Sequence, residues 1–123
     1  MIKEIITGRV IRGKGEGRQI GYPTANLKLI EDSFRAQTGI YAVWVFLGDT
    51  KYAGVLVSGV EQEASGEPRQ EVYLLDFSDD LYGQNLQVEM VQKLRDVIRT
   101  TNLEDIKKQI EQDIKQTKII LGL

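Results

Sequence analysis

The sequence contains neither cysteine nor histidine, and both absences restrict the chemistry open to it. Without cysteine there is no disulfide and no thiolate metal site. Without histidine there is no Ser-His-Asp or Cys-His catalysis and no imidazole zinc site. Any general base must therefore be Asp, Glu, Lys or Tyr. Any bound metal should be a hard cation with oxygen ligands, and Mg²⁺ is the first candidate.

A strong charge of one sign and long apolar runs are lacking too. The formal net charge is −2, so no basic field is available to attract nucleic acid. No apolar run approaches the roughly 18 residues of a membrane helix, and the N-terminal MIKEIITGRV lacks a signal-peptide core. We therefore expect a cytoplasmic protein that binds neither nucleic acid nor membranes.

The remaining composition is that of an ordinary globular protein, with 41% hydrophobic and 28% charged residues. A chain of 123 residues most simply forms one domain, here residues 1–123. No internal repeat or linker divides it. A domain of this size buries roughly two-thirds of its unfolded surface, which is enough for one real core.

The most informative segment is residues 13–28, GKGEGRQIGYPTANLK. Glycine clusters alone are typical of hairpins, and neither a dinucleotide fingerprint nor a P-loop is present, since Arg18 occupies the third glycine position of the former. Glycines that permit close backbone approach, followed by a hydroxyl and a carboxamide, nevertheless suit phosphate and a hard cation. The candidate residues are Gly13, Gly15, Gly17, Gly21, Pro23, Thr24 and Asn26.

Short strands separated by turns are predicted over most of the chain. Alternation and apolar runs place them at residues 2–12, 40–47, 52–57, 71–77 and 85–95, with Gly48-Asp49-Thr50 as a hairpin turn and 58–70 as a loop. Gly54 indicates a bulge or a close approach, and the phase slip at Val91 indicates a bulge.

The last segment changes to a helical period. One apolar face consists of Leu103, Ile106, Ile110, Ile114, Thr117 and Leu121. Thr101, with Glu104 three residues later, forms a capping box, so a helix is predicted over roughly 102–121. The mixed charges of the opposite face are typical of a solvated surface. Several short strands followed by one helix imply a small β-barrel with an appended helix.

The motif order resembles riboflavin kinase, specifically the kinase module of bacterial bifunctional flavokinase/FAD synthetases. The matching blocks are the glycine loop with PTANL, then GIYAV, EVYLLDF, DLYG and KLRD, and they extend from about Gly8 to Lys118. The resemblance implies a closed six-stranded Greek-key β-barrel with a C-terminal helix. It also implies ATP- and Mg²⁺-dependent phosphorylation of the riboflavin 5′-hydroxyl, which gives FMN and ADP.

The resemblance assigns roles to individual residues. Thr24 and Asn26 would support Mg²⁺ and the nucleotide phosphates, and the loop glycines would present backbone N–H groups to those phosphates. Glu71 would be the general base. Tyr82 and Arg95 would lie on the flavin side, although a buried tyrosine and an arginine salt bridge explain these two equally well. Thr24 and Asn26 could instead bond local backbone, and Glu71 could form an ion pair. Lys14, Arg18 and Lys28 are candidate phosphate cations among which the sequence does not choose.

Two departures from the family pattern lie on the expected flavin side. Residues 57–62 replace an Asn-Ile-Gly-x-Arg-Pro-Thr segment, and Thr100 stands where the family typically has Phe. The alternative function is therefore a degenerate barrel that binds flavin or nucleotide without turnover, in a regulatory role. A nucleic-acid-binding OB-like barrel is disfavoured by the charge. The chain lacks an adenylyltransferase motif, so we expect a monofunctional kinase that stops at FMN, or a fragment of a larger chain. We also expect a monomer.

Overall fold

The computed structural model describes residues 3–12, 24–62 and 65–123, and within these ranges the chain forms six strands and one helix. These are β1 (Ile5–Ile11), β2 (Ala25–Leu29), β3 (Gly39–Leu47), β4 (Thr50–Gln62), β5 (Pro68–Leu74), β6 (Asn85–Arg95) and α1 (Leu103–Ile120). The strands close a barrel in the order β1-β2-β5-β4-β3-β6, with every pairing antiparallel. Strands β3, β4 and β5 follow one another as neighbours and β6 returns beside β3, which is a Greek key. The predicted barrel with a C-terminal helix is confirmed.

Strand alternation divides the apolar residues into an inner core and an outer cluster. The inner core receives side chains from all six strands, and its buried members are Ile6, Val10, Ala25, Leu27, Ala36, Val43, Val45, Leu56, Val72, Leu86 and Val88. The outer cluster lies between the barrel wall and α1, and its buried members are Ile40, Ala53, Val55, Tyr73 and Leu75. Strand β3 contributes to both, which explains why its sequence is apolar on both faces.

Three local predictions on β3, β4 and β6 are confirmed. Leu47 pairs with Thr50 around a two-residue turn in which Gly48 has φ of +58°. Val43 pairs with Met90 and Ala42 with Gln92, so Val91 is the extra residue of a bulge. A Cβ on Gly54 would lie 2.9 Å from the Tyr73 carbonyl oxygen, so the glycine permits a close approach of two strands.

The predicted strand map is wrong in three places. Residues 25–29, for which no strand was predicted, form β2. The predicted loop 58–70 is largely strand, because β4 continues to Gln62 and β5 begins at Pro68. Polar residues that extend a hairpin beyond the core carry no apolar alternation, so their strand conformation leaves no signal in the sequence. Strand β5 also ends earlier than predicted, at Leu74, just before Asp76 with its φ of +57°.

Helix α1 begins one residue later than predicted and is capped by a different residue. The side chain of Asn102, not Thr101, accepts hydrogen bonds from the backbone N–H groups of Glu104 at 2.9 Å and Asp105 at 3.2 Å. Asn caps a helix at least as well as Thr, and a cap at 102 leaves Leu103 56% exposed at the first turn. Ile110, Ile114 and Leu121 of the predicted apolar face pack against the barrel, and Thr117 is fully buried. No helix within the described ranges is long and apolar enough to cross a membrane.

Candidate active site

The pairing of β2 with β5 brings together two residues that lie 45 positions apart in sequence. Asn26 and Glu71 are direct Cα partners in this antiparallel register. Side chains of directly opposed residues share one face of the sheet, with Cβ atoms about 5 Å apart. Their neighbours Ala25 and Val72 belong to the inner core, so Asn26 and Glu71 project from the outer surface of the barrel.

Asn26 is 94% buried, and its carbonyl oxygen Oδ1 accepts no hydrogen bond from any part of the chain that the structure describes. A buried acceptor without a donor costs about 1–3 kcal/mol, so a cation or donor that reaches it would recover this free energy. Thr24 lies two residues earlier and is half-buried, which adds a hydroxyl oxygen at the start of β2. Together these residues offer two neutral oxygen donors.

Glu71 lies in the middle of β5 and not at a strand end. It is half-buried and is paired with Asn26 on one side and Val57 of β4 on the other. Val57 packs against the outer cluster, so the carboxylate stands at the border between that apolar surface and the oxygen atoms of Asn26. A carboxylate in this setting can accept a proton from a hydroxyl held against the outer surface.

A cavity of about 470 Å³ is lined in part by the neighbouring residues of β2 and β5. Leu27 and Gln70, which are the next residue pair along these strands, both line it, and by strand alternation they project to the opposite face of the sheet from Asn26 and Glu71. Its volume is in the range of ligand-binding sites, about 300–1,000 Å³. Apolar lining comes from Ile11, Leu27, Leu29, Ala36 and Pro68, and charged lining from Lys28, Arg35 and Glu67.

The oxygen atoms of Thr24 and Asn26 suit a magnesium ion that keeps several of its water ligands. Among the described residues no group of three or more His, Cys, Asp or Glu side chains could hold a metal. An all-protein cage is therefore not present there. Mg²⁺ commonly keeps several waters and binds through one or two protein oxygens together with substrate phosphates. The orphaned Oδ1 of Asn26 and the hydroxyl of Thr24 suit an ion of that kind.

The two residues predicted on the flavin side make other contacts in the described structure. Tyr82 is 49% exposed and stacks under Arg12, whose guanidinium carbon lies 4.2 Å from the ring centroid. Arg95 donates two hydrogen bonds of 2.8 Å to the carboxylate of Asp113. The salt-bridge interpretation of Arg95 therefore has direct support, and a flavin contact for either residue stays a prediction.

Part of the predicted phosphate loop lies outside the described residues. This applies to Gly13, Gly15, Gly17, Gly21 and Pro23, and also to the cations Lys14 and Arg18. Of the three candidate cations, Lys28 is described, and it lines the cavity.

Sequence reasoning missed Gln70 in the cavity wall and Asp113 in α1. Nothing in the polar stretch around Gln70 marks it as buried. Asp113 did leave a signal, because it falls three residues after Ile110 and four before Thr117, on the apolar face of the predicted helix. A carboxylate on such a face requires a partner, and Arg95 provides it.

Comparison with known proteins identifies the family. The family model Flavokinase: Riboflavin kinase matches residues 3–121, and the chain belongs to the riboflavin kinase family. The bifunctional riboflavin kinase/FMN adenylyltransferase of Haemophilus influenzae is 40% identical over 115 residues. That match covers 92% of this chain and 37% of the relative, so the chain spans less than two-fifths of the relative's length.

Solved structures agree on the architecture. A crystal structure of a Streptococcus pneumoniae protein described as a macrolide-efflux protein superimposes with a TM-score of 0.85 and 32% identity, covering 93% of this chain and 38% of that one. Riboflavin kinase from Trypanosoma brucei superimposes with a TM-score of 0.68 and 20% identity, covering 96% and 79% of the two chains. The second similarity supports the fold alone.

Proposed function

We propose that this chain transfers the γ-phosphoryl group of ATP to the 5′-hydroxyl of riboflavin, giving FMN and ADP. The observation that carries the proposal is the direct pairing of Asn26 and Glu71 across β2 and β5. This pairing places Asn26 Oδ1, an oxygen that could bind a cation, beside the Glu71 carboxylate, which could act as a base. Membership of the riboflavin kinase family supports the same reaction class.

In this mechanism Glu71 accepts the proton of the ribityl hydroxyl as that oxygen attacks the γ-phosphorus. The bond between the γ-phosphorus and the β–γ bridging oxygen breaks, and ADP leaves. Thr24 and Asn26 would hold Mg²⁺, which when bound neutralises charge on the phosphates. The half-buried position of Glu71 keeps its carboxylate on the outer surface, where the alcohol must approach.

We assign the nucleoside part of ATP to the cavity lined by Leu27 and Gln70. Its apolar walls can cover a base, and Lys28 and Arg35 place positive charge along its lining.

Replacing Glu71 tests the proposal. Glu71→Gln keeps the shape of the side chain but removes its basicity, so we expect the rate of FMN formation from riboflavin and MgATP to fall about 10²- to 10⁴-fold. The KM for MgATP should change little, because the residue acts on the alcohol. Glu111→Gln is the control, because Glu111 is an exposed carboxylate on α1 and belongs to neither β2 nor β5. It should retain the wild-type rate.

Two results would contradict parts of the proposal. Full activity of Glu71→Gln would show that another group is the base and leave the reaction class intact. A wild-type protein that binds riboflavin and MgATP but forms no FMN would make the chain a non-catalytic flavin- or nucleotide-binding barrel.

A further inference from the structure

A pair of buried polar side chains lies in the barrel wall where apolar residues would be expected. Ser58 is fully buried and Gln70 is 97% buried, and the two are direct partners across β4 and β5. They are the next pair after Val57 and Glu71, and Gln70 also lines the cavity. Buried polar groups are normally hydrogen-bonded, so the partners of each atom can be followed in turn.

The hydrogen bonds fix which way the Gln70 amide points. Ser58 Oγ donates to the backbone carbonyl of Ala36 at 3.2 Å, so its one proton is used and it can only accept from Gln70. Gln70 Nε2 donates to Ser58 Oγ at 2.7 Å and to the carbonyl of Pro68 at 3.3 Å. Both contacts require a donor, so the amide nitrogen occupies this side and the amide is not free to flip.

The other end of the amide is left without a partner. Gln70 Oε1 is buried and accepts no hydrogen bond from the described residues. A methionine or leucine at this position would avoid that penalty. An acceptor kept in the wall of a ligand-sized cavity, with its orientation set by two other groups, is the arrangement expected where a ligand supplies the missing donor.

We propose that Gln70 determines nucleotide specificity by accepting a hydrogen bond at Oε1 from the exocyclic 6-amino group of adenine. The inference rests on the proposed function, because it assigns the base of the co-substrate to the cavity. Apolar lining from Ile11, Leu27, Leu29 and Pro68 suits the faces of a purine. Oε1 has almost no contact with solvent, so binding of the base at this atom requires a small movement of the cavity wall. The bond then forms out of water, where a ligand that leaves the acceptor unmatched binds less tightly.

The test compares two nucleotides that differ in the amino group alone. ATP and purine riboside 5′-triphosphate, which has hydrogen at position 6, are titrated with Mg²⁺ into wild type and Gln70→Met, and Kd is measured by calorimetry. We expect wild type to prefer ATP about threefold to tenfold, the effect of one net hydrogen bond. Gln70→Met keeps an unbranched chain and removes Oε1, so its ratio should fall to about one. Gln37→Leu, an exposed glutamine beside Ala36, should keep the wild-type ratio.

Additional titrations identify which nucleotide group donates to Oε1, and thermal unfolding checks that the variants are folded. Ribose hydroxyls are the other donors that a nucleotide offers, so 2′-deoxy-ATP and 3′-deoxy-ATP are titrated as well. If Gln70→Met abolishes discrimination against a deoxy analogue and not against the purine analogue, the assignment to the base is overturned. Gln70→Leu provides a second variant, and thermal unfolding of both confirms that each is folded.

The remaining outcomes separate this inference from the proposed function. Equal binding of ATP and the purine analogue by wild type, a preference that persists in Gln70→Met, or no nucleotide binding at all would overturn the role of Gln70. A preference that disappears in Gln70→Met while no FMN is formed would support Gln70 and contradict the kinase activity.

Discussion

Among the described residues, neither of the buried oxygen atoms Asn26 Oδ1 and Thr117 Oγ1 has a hydrogen-bond partner, and their positions give this shared feature different consequences. Both carry the cost of an unsatisfied polar group. Asn26 lies beside Glu71 in the candidate active site, where a bound cation would satisfy its oxygen. Thr117 is fully buried on α1, which packs against the barrel. We infer that the unsatisfied oxygen of Asn26 is retained for function, whereas that of Thr117 can be removed without loss of function.

Thr117→Val should therefore stabilise the protein. Valine has nearly the shape of threonine and carries no hydroxyl, so we expect the free energy of unfolding to rise by about 1 kcal/mol. Urea unfolding with an unchanged m-value would measure this, and FMN formation should not change. A loss of stability would instead show that the hydroxyl has a partner in the folded protein.

At the scale of elements, α1 is held to the barrel by an ion pair as well as by the outer cluster. Arg95 is the last residue of β6, and its guanidinium forms a bidentate contact with Asp113 in the middle of the helix. The Asp113 side chain is 5% exposed and that of Arg95 is 25% exposed. Bidentate charged hydrogen bonds are strong and directional, so the pair sets how the helix lies on β6.

Asp113→Ala should strongly lower the free energy of unfolding, because it weakens the packing of α1 on the barrel. Removing one partner leaves the other charge half-buried, and we expect a loss of about 3 kcal/mol in chemical denaturation. The double variant Arg95→Met/Asp113→Leu should recover most of that loss, because no charge is then left unpaired. A double variant no more stable than the single one would show that the pair itself, and not relief of an unpaired charge, governs stability.

The pair formed by Lys93 and Asp96 is the matched surface control. Lys93 Nζ lies 2.6 Å from Asp96 Oδ1, but the aspartate side chain is 86% exposed. The hydrogen bond from Lys93 lowers the pKa of Asp96, so any stabilisation is present at neutral pH and is lost in acid as the pH falls through that lowered pKa. Asp96→Asn should leave Tm at pH 7 nearly unchanged, because solvent screens an exposed pair.

At the scale of the whole molecule, barrel closure joins the two ends of the described sheet. Strand β1 pairs with both β2 and β6, so the first and last strands are neighbours. Each strand of the barrel has two neighbouring strands. Separating any two neighbours breaks the backbone hydrogen bonds between them and exposes the inner core. The barrel and the helix packed on it should therefore unfold together.

The single tryptophan allows this to be measured. Trp44 packs against the outer cluster, so its fluorescence reports on the contact between barrel and helix, whereas far-UV circular dichroism reports on strands and helix together. We expect the two signals to follow one coincident transition in urea. A fluorescence change that precedes the loss of secondary structure would show that α1 detaches before the barrel opens.

The elements that could be predicted from the sequence are those whose residues alternate between the apolar core and the surface. Strand β3, its hairpin with β4 and the bulge at Val91 were predictable because apolar alternation and turn residues mark them directly. Strand β2 was not, because its five residues follow a proline and contain Asn26 and Lys28, which resemble a turn. The extension of the β4–β5 hairpin was missed because polar strand and polar loop have the same composition.

The sequence by itself determined the kind of chemistry. The absence of histidine and cysteine restricted a general base to Asp, Glu, Lys or Tyr and any metal ligands to oxygen atoms, and the order of the motifs indicated the family. Only the tertiary structure decided which residues meet. Asn26 and Glu71 become neighbours through the register of β2 on β5, and the Gln70 amide is oriented by Ser58 and Pro68. The physical reason is that sequence periodicity encodes burial, whereas strand pairing and hydrogen-bond direction depend on contacts between residues far apart in the chain.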